Sequence, residues 1–261
     1  MYARKSLGQH FLNSPAAIKA IIDAGQIKKD EIILEIGPGR GVLTGALLQK
    51  TSRVIAVEKD SRLMPVLQQK FTKEITSGEL TLVSADILNF SLTDDSPLTT
   101  HYKLIANIPY YLTGAIFRKF LETENQPEKM VLLVQKEVAD RILARDNKES
   151  LLSLSVKAFG KPKYIKTVKA GSFNPPPKVD SAILAIDEIS RDFFKDCSEK
   201  IFFKLIHLGF AHKRKQLVAN LAGSYKREKI TKILGQLELS PTIRAEDLKI
   251  KDWQQLAKLI A

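Results

Sequence analysis

Hydrophobic positions along the chain fall into two alternating rhythms. Continuous apolar runs that stop at Gly, Asp or Asn read as buried strands: "EIILEIGPGRG" (31–41), "RVIAVEKD" (53–60), "LTLVSADILNF" (80–90) and "YKLIANIPY" (102–110). Between and after them, helical spacing appears in "GVLTGALLQKT" (41–51), "RLMPVLQQKFT" (62–72) and "GAIFRKFLET" (114–123). "KMVLLVQKEVADRILA" (129–144) reads as a fifth strand running into a helix. Near the start, Ser14 and Pro15 open a helix whose apolar stripe is Ile18, Ile21 and Ile22. Serine there caps orphan N–H groups, and proline sits where its missing N–H costs nothing.

Strands alternating with helices at this spacing predict an α/β fold, a mainly parallel sheet with helices on both faces. "YIKTVKA" (164–170) and "SAILAIDEI" (181–189) break the rhythm, because only "GSFNPPPKVD" separates them. Three prolines forbid a crossover helix there, so that pair is expected to be antiparallel or at an edge. After Arg191 the pattern is helical throughout, as in "FFKDCSEKIFFKLIHLGF" and "REKITKILGQL". These rhythms divide the chain into an α/β domain over 1–190 and a small all-helical domain over 191–261.

Composition sharpens this picture in two ways. The chain of 261 residues carries 41 Lys and Arg against 29 Asp and Glu, a net charge of +12, which points to a polyanion partner. The excess is densest after residue 190, where 15 Lys and Arg face 8 acidic residues. Cys197 is the only cysteine, so an internal disulfide is excluded and a Cys-based metal site is not expected. The start lacks the apolar run of a signal peptide, and no window holds the ~18 apolar residues of a membrane span. A cytoplasmic, metal-free monomer with no membrane contact is the expectation.

Candidate chemistry gathers where the strands end. Gly37, Gly39 and Gly41 follow the first strand directly, as a turn that lets a ligand approach the backbone. Glu58 closes the second strand, 21 residues after Gly37, where doubly wound folds place an acceptor for ribose hydroxyls. Asp86 closes the third and is placed to accept from an adenine amino group; Asn107 closes the fourth. In such sheets ligands bind beyond the carboxyl ends of the strands.

The last of these ends continues as Asn107-Ile108-Pro109-Tyr110. An exocyclic amine on a base is a weak nucleophile, because its lone pair is delocalised into the ring. Two acceptors on its N–H bonds hold it pyramidal. The Asn107 side-chain oxygen and the Ile108 carbonyl suit that task, with Pro109 fixing the backbone. Tyr110 offers a face on which the base can stack.

"NIPY" after "EIGPGRG" resembles the S-adenosylmethionine-dependent amino-methyltransferases. Three further segments narrow the likeness to the rRNA adenine N6,N6-dimethyltransferase family: "LGQHFL" (7–12), "FNPPPKVDSAIL" (173–184) and "GFAHKRKQLVANL" (209–221), the last similar to a basic helix in that family's C-terminal domain. The resemblance implies a Rossmann-like methyltransferase domain, S-adenosylmethionine as cofactor, and two adjacent adenosines in the 3′-terminal hairpin loop of 16S rRNA as substrate. It implies action on a late small-subunit assembly intermediate. Carried over by motif, His10 and Leu12 join Gly37, Gly39, Glu58, Asp86 and Asn107 at the cofactor, and Phe173 packs on the second face of the target base. Arg4, Lys5, Lys213, Arg214 and Lys215 are the expected RNA contacts. His10 departs from the family, many of whose members have Asn there. The alternatives are a 23S rRNA methyltransferase of the antibiotic-resistance type and a non-catalytic ribosome-assembly factor that binds RNA. A dehydrogenase would leave "NIPY" without a purpose.

Overall fold

The computed structural model describes residues 8–90 and 101–260. The chain divides into two compact units, Met1–Ala139 with Lys163–Ile189, and Asp140–Pro162 with Ser190–Ala261.

The first unit starts with a two-residue strand, β1 (Phe11–Leu12), and helix α1 (Pro15–Gly25). The Ser14 Oγ accepts the Ala17 N–H, and Pro15 sits in the first turn. Then come β2 (Ile32–Ile36), α2 (Val42–Leu48), β3 (Val54–Glu58), α3 (Met64–Lys70), α4 (Thr72–Thr76) and β4 (Leu80–Ser84). They are followed by β5 (Tyr102–Asn107), α5 (Thr113–Leu121), β6 (Lys129–Gln135) and α6 (Lys136–Leu143), which runs into the second unit. After α7 (Leu151–Lys157) the chain returns through β7 (Lys161–Val168), the short β8 (Phe173–Asn174) and β9 (Ser181–Asp187).

Seven strands form one sheet in the order β4-β3-β2-β5-β6-β9-β7. The first five are mutually parallel, and β9 runs antiparallel to β6. As expected, the two strands around the prolines break the parallel run, and β7 forms the edge beside β9. All five residues of β2 and of β3 are buried, the mark of strands covered on both faces. Separately, β1 pairs antiparallel with β8, Leu12 opposite Phe173.

The second unit is helical: α7, then α8 (Glu199–Gly209), α9 (Leu217–Leu221), α10 (Arg227–Gln236) and α11 (Ile250–Ile260). It departs from the expected 191–261 by also taking in residues 140–162. The reason is packing: Leu154 and Ala158 belong to the same apolar cluster as Phe202, Leu205, Leu234 and Trp253. Ser150 and Ser153 close a reciprocal capping box on α7, which secures so short a helix. Among the described residues no helix is long and apolar enough to cross a membrane.

Candidate active site

Parallel register decides which residues meet. Ile36 stands opposite both Val57 and Ala106, and Glu58 stands opposite Ser84. The residues that end β2, β3, β4 and β5 therefore share one rim. There they line an open cavity bordered by Gly37, Glu58, Asp86 and Asn107.

Gly37 turns the chain out of β2 at φ 67°, a left-handed conformation that other residues rarely adopt. A Cβ there would meet nothing closer than the Asn107 carbonyl oxygen at 3.9 Å, so the missing side chain leaves the cavity open to a ligand. Glu58 is only 5% exposed. Its Oε2 accepts the Gly39 N–H at 3.1 Å and its Oε1 the Asp60 N–H at 2.8 Å. Burial pushes this carboxyl up, and the backbone N–H bonds work against that shift. The two bonds lock the carboxylate between the glycine turn and the end of β3. Its remaining lone pairs are available to ribose hydroxyls.

Asp86 is not a bare acceptor. Lys59 Nζ lies 2.7 Å from its Oδ2 and the Leu88 N–H donates to Oδ1 at 3.0 Å. The Lys59 bond, with the Leu88 N–H, holds this carboxyl below the usual range. Asp60, beside Glu58, is gripped by Arg62 through Nε at 2.9 Å and a terminal nitrogen at 2.6 Å. Gln9 donates to the same carboxylate at 2.9 Å, tying the segment before β1 to the end of β3. Sequence reasoning missed Asp60 and Gln9, although "EKD" and "GQH" carry them.

The continuation of β5 is held from two sides. Asn107 Nδ2 donates to the His10 carbonyl at 3.1 Å, which leaves Oδ1 as the free acceptor. Pro109 turns the chain, and its carbonyl accepts the Leu112 N–H at 3.0 Å. The Tyr110 hydroxyl pairs with the buried Ser181 Oγ at 2.7 Å. Burial pushes the phenol up, so the ring stays neutral. The His10 ring is stacked near it, centroids 6.0 Å apart and planes 21° from parallel. His10 Nδ1 lies 2.8 Å from the Pro175 carbonyl oxygen. A carbonyl only accepts, so Nδ1 carries a proton and donates to it.

Ile108, Pro109, Tyr110 and His10 all border the cavity; two expected residues do not. Phe173 is 3% exposed and packs in the hydrophobic core, because the β1–β8 ladder turns it inward. It is not on the cavity wall. Its segment instead supplies the Pro175 carbonyl to His10. Leu12, its partner in that ladder, is also core and borders a smaller neighbouring cavity beside Gly37 and Asn107. Phe11 and Tyr111 also line the main cavity.

The basic residues of the second unit lie elsewhere in the chain. Lys213, Arg214 and Lys215 are exposed, but on a turn between α8 and α9 and not on a helix. Residues 211–216 hold no buried apolar position that would anchor a helical turn. Asn220 Nδ2 pins this turn from below, donating to the carbonyls of Gly209 at 2.6 Å and His212 at 3.1 Å. Arg4 and Lys5 lie outside the described residues. Among the described residues no cluster of three or more His, Cys, Asp or Glu is placed to hold a metal ion.

Comparisons with known proteins bear on this geometry. The chain is 41% identical over 256 residues to the Ribosomal RNA small subunit methyltransferase A of Dehalococcoides mccartyi, covering 97% of this chain and 87% of the relative. Its fold matches the crystal structure of a dimethyladenosine transferase from Plasmodium falciparum with a TM-score of 0.81 and 28% identity, over 95% of this chain and 96% of that one. It matches the 23S rRNA methyltransferase ErmE with a TM-score of 0.79 over 96% and 99% of the two chains, at 23% identity, which speaks to the fold alone. The sequence signature described as Ribosomal RNA adenine dimethylase spans residues 1–261. An open glycine turn, a buried acceptor at the end of β3 and a fixed amide at the end of β5 suit a nucleoside cofactor beside an amine. The chain belongs to the ribosomal RNA adenine dimethylase family and is an S-adenosylmethionine-dependent rRNA adenine dimethyltransferase.

Proposed function

We propose that this enzyme methylates the N6 amino groups of two adjacent adenosines in the 3′-terminal hairpin loop of 16S rRNA, giving N6,N6-dimethyladenosine. The observation that carries the chemistry is the orientation of Asn107: its Nδ2 is spent on the His10 carbonyl, so its oxygen is what it offers to substrate. The small-subunit assignment rests on the resemblance of "FNPPPKVDSAIL" and "AHKRKQ" and on the names of the relatives.

Gly37, Gly39, Glu58 and Asp86 would hold S-adenosylmethionine, with His10 at the edge of the same cavity. Bound there, the cofactor supplies an electrophilic methyl group. The protein's own part is to make the amine nucleophilic. Asn107 Oδ1 and the Ile108 carbonyl accept its two N–H bonds and hold the nitrogen pyramidal. As positive charge grows on that nitrogen, the same two oxygens stabilise it. Tyr110, fixed by Ser181, stacks on the base. Each transfer ends with one N–H proton leaving the nitrogen, and a second methylation replaces the N–H that remains.

In the second unit, Lys213, Arg214 and Lys215 bind RNA phosphates without reading sequence, and Arg4 and Lys5 are proposed to do the same. An adenosine in a loop leaves its stack at a cost of a few kcal/mol, less than in a duplex. The enzyme works as a cytoplasmic monomer on a small-subunit assembly intermediate. Incubation with labelled S-adenosylmethionine and either undermethylated small subunits or free 23S rRNA tests the substrate. Label should enter 16S rRNA; label in 23S rRNA would overturn the reading.

A further inference from the structure

Tyr110 and Tyr111 are neighbours with opposite surroundings. Tyr110 is half-buried and its hydroxyl is bonded. Tyr111 is 59% exposed, yet it lines the same cavity. Among the described Phe, Tyr and Trp residues it is the one that is exposed; every other is buried or half-buried. An exposed ring at the lip of a cavity is a poor arrangement for stability, because its apolar faces stay in water.

We propose that Tyr111 is a stacking platform for the nucleobase next to the flipped adenosine. This deepens the reading given above and rests on it. Tyr111 sits on a single turn of 3-10 helix, Tyr110–Leu112, held by the Pro109 carbonyl and by the Thr113 hydroxyl on the Tyr110 carbonyl at 2.9 Å. The ring is backed by the chain at Gly8, where an added Cβ would stand 3.4 Å from two ring carbons and 3.7 Å from the Pro109 Cβ. Gly8 has φ 59°, so the residue that backs the ring is one whose conformation favours glycine. A rigid ring supported from behind and open in front is what a base stacks on.

The occupant follows from position. The cavity takes one base against Tyr110. The base beside it on the same strand remains outside, within one nucleotide of the lip where Tyr111 stands. A stacked neighbour would hold the strand in register and favour a substrate whose target lies next to another purine. Tyr111 is thus a positioning residue, acting on how the RNA sits and leaving amine activation to Asn107 and Ile108.

Binding of a hairpin with the 16S 3′-terminal loop, intact or abasic at either neighbour of the target, tests this. Tyr111→Ala should weaken binding to the intact hairpin by about tenfold, within the range that stacking one base supplies. Tyr111→Phe should stay within about twofold of wild type, since the ring and not the hydroxyl does the work. On one of the two abasic hairpins, wild type and Tyr111→Ala should bind alike. Unchanged binding of Tyr111→Ala to the intact hairpin, or a defect that persists on both abasic hairpins, overturns the inference alone. So does an equal loss of S-adenosylmethionine affinity by calorimetry, which would place the ring in the cofactor site. If wild type shows no preference for this hairpin over a scrambled loop, the substrate reading fails and the inference falls with it.

Discussion

The rim of the first unit and the basic turn of the second are built on opposite terms. At the rim, Glu58, Asn107 and Tyr110 are tied to backbone or to another side chain. Glu58 is held by two N–H groups, Asn107 by the His10 carbonyl, and Tyr110 by Ser181. In the basic turn, Lys213, Arg214 and Lys215 are exposed, and it is the backbone beneath them that Asn220 fixes. The contrast follows from the work each does. Aiming a lone pair needs groups held still, whereas neutralising phosphates needs charge at an approximate place. Substitutions should therefore act on rate in one region and on salt-dependent affinity in the other.

The sharpest break in that contrast is Asn107→Ala. It should lower kcat at least ~10²-fold, in line with loss of one transition-state hydrogen-bonding group. Affinity for S-adenosylmethionine, measured by calorimetry, should stay within about threefold, since that variant spares Glu58 and the glycine turn. Replacing both Lys213 and Arg214 by Ala should weaken RNA binding and reduce the slope of log affinity against log salt by about one to two, with little change in kcat at saturating RNA. An unchanged slope would remove that turn from the interface.

The smallest effect concerns Glu35, just before the glycine turn. It is 1% exposed, and its Oε2 has no partner among the described residues. Burial pushes its carboxyl up to about 8, with the Thr44 side chain opposing that shift. The folded protein therefore holds a proton that the unfolded chain, with an ordinary Glu near 4.5, gives up. Stability from this group is fully present below about 4.5 and is lost as pH rises through about 8. Thermal melts from pH 6 to pH 9 should show wild type losing Tm more steeply than Glu35→Gln. Parallel curves for the two proteins would show that Glu35 is ionised in the fold.

Much of the rim was legible because parallel strands in register bring their ends together. Gly37, Glu58, Asp86 and Asn107 needed only the strand pattern and the crevice rule for such sheets. What the pattern could not carry was pairing. Nothing in "VEKD" says that Lys59 takes Asp86, or that Arg62 and Gln9 take Asp60. Phe173 shows the limit of motif likeness. Its segment is near the site, but a two-residue ladder with β1 sends the ring into the core and a carbonyl toward His10. Helix α7 escaped notice because "LLSLSVK" is short and serine-rich, and its cap depends on Ser153 folding back on Ser150. The basic turn looked helical by resemblance, yet six polar or small residues in a row have no apolar face to hold a helix down.

The central claim is that this rim aims an exocyclic amine. It is tested most directly by the identity of the methylated atom. After reaction with undermethylated small subunits, the rRNA is digested to nucleosides and the products are separated by mass spectrometry against standards. The account predicts N6,N6-dimethyladenosine, formed at least ~10²-fold more slowly by Asn107→Ala. Methyl groups on a ring nitrogen or on the ribose would contradict it.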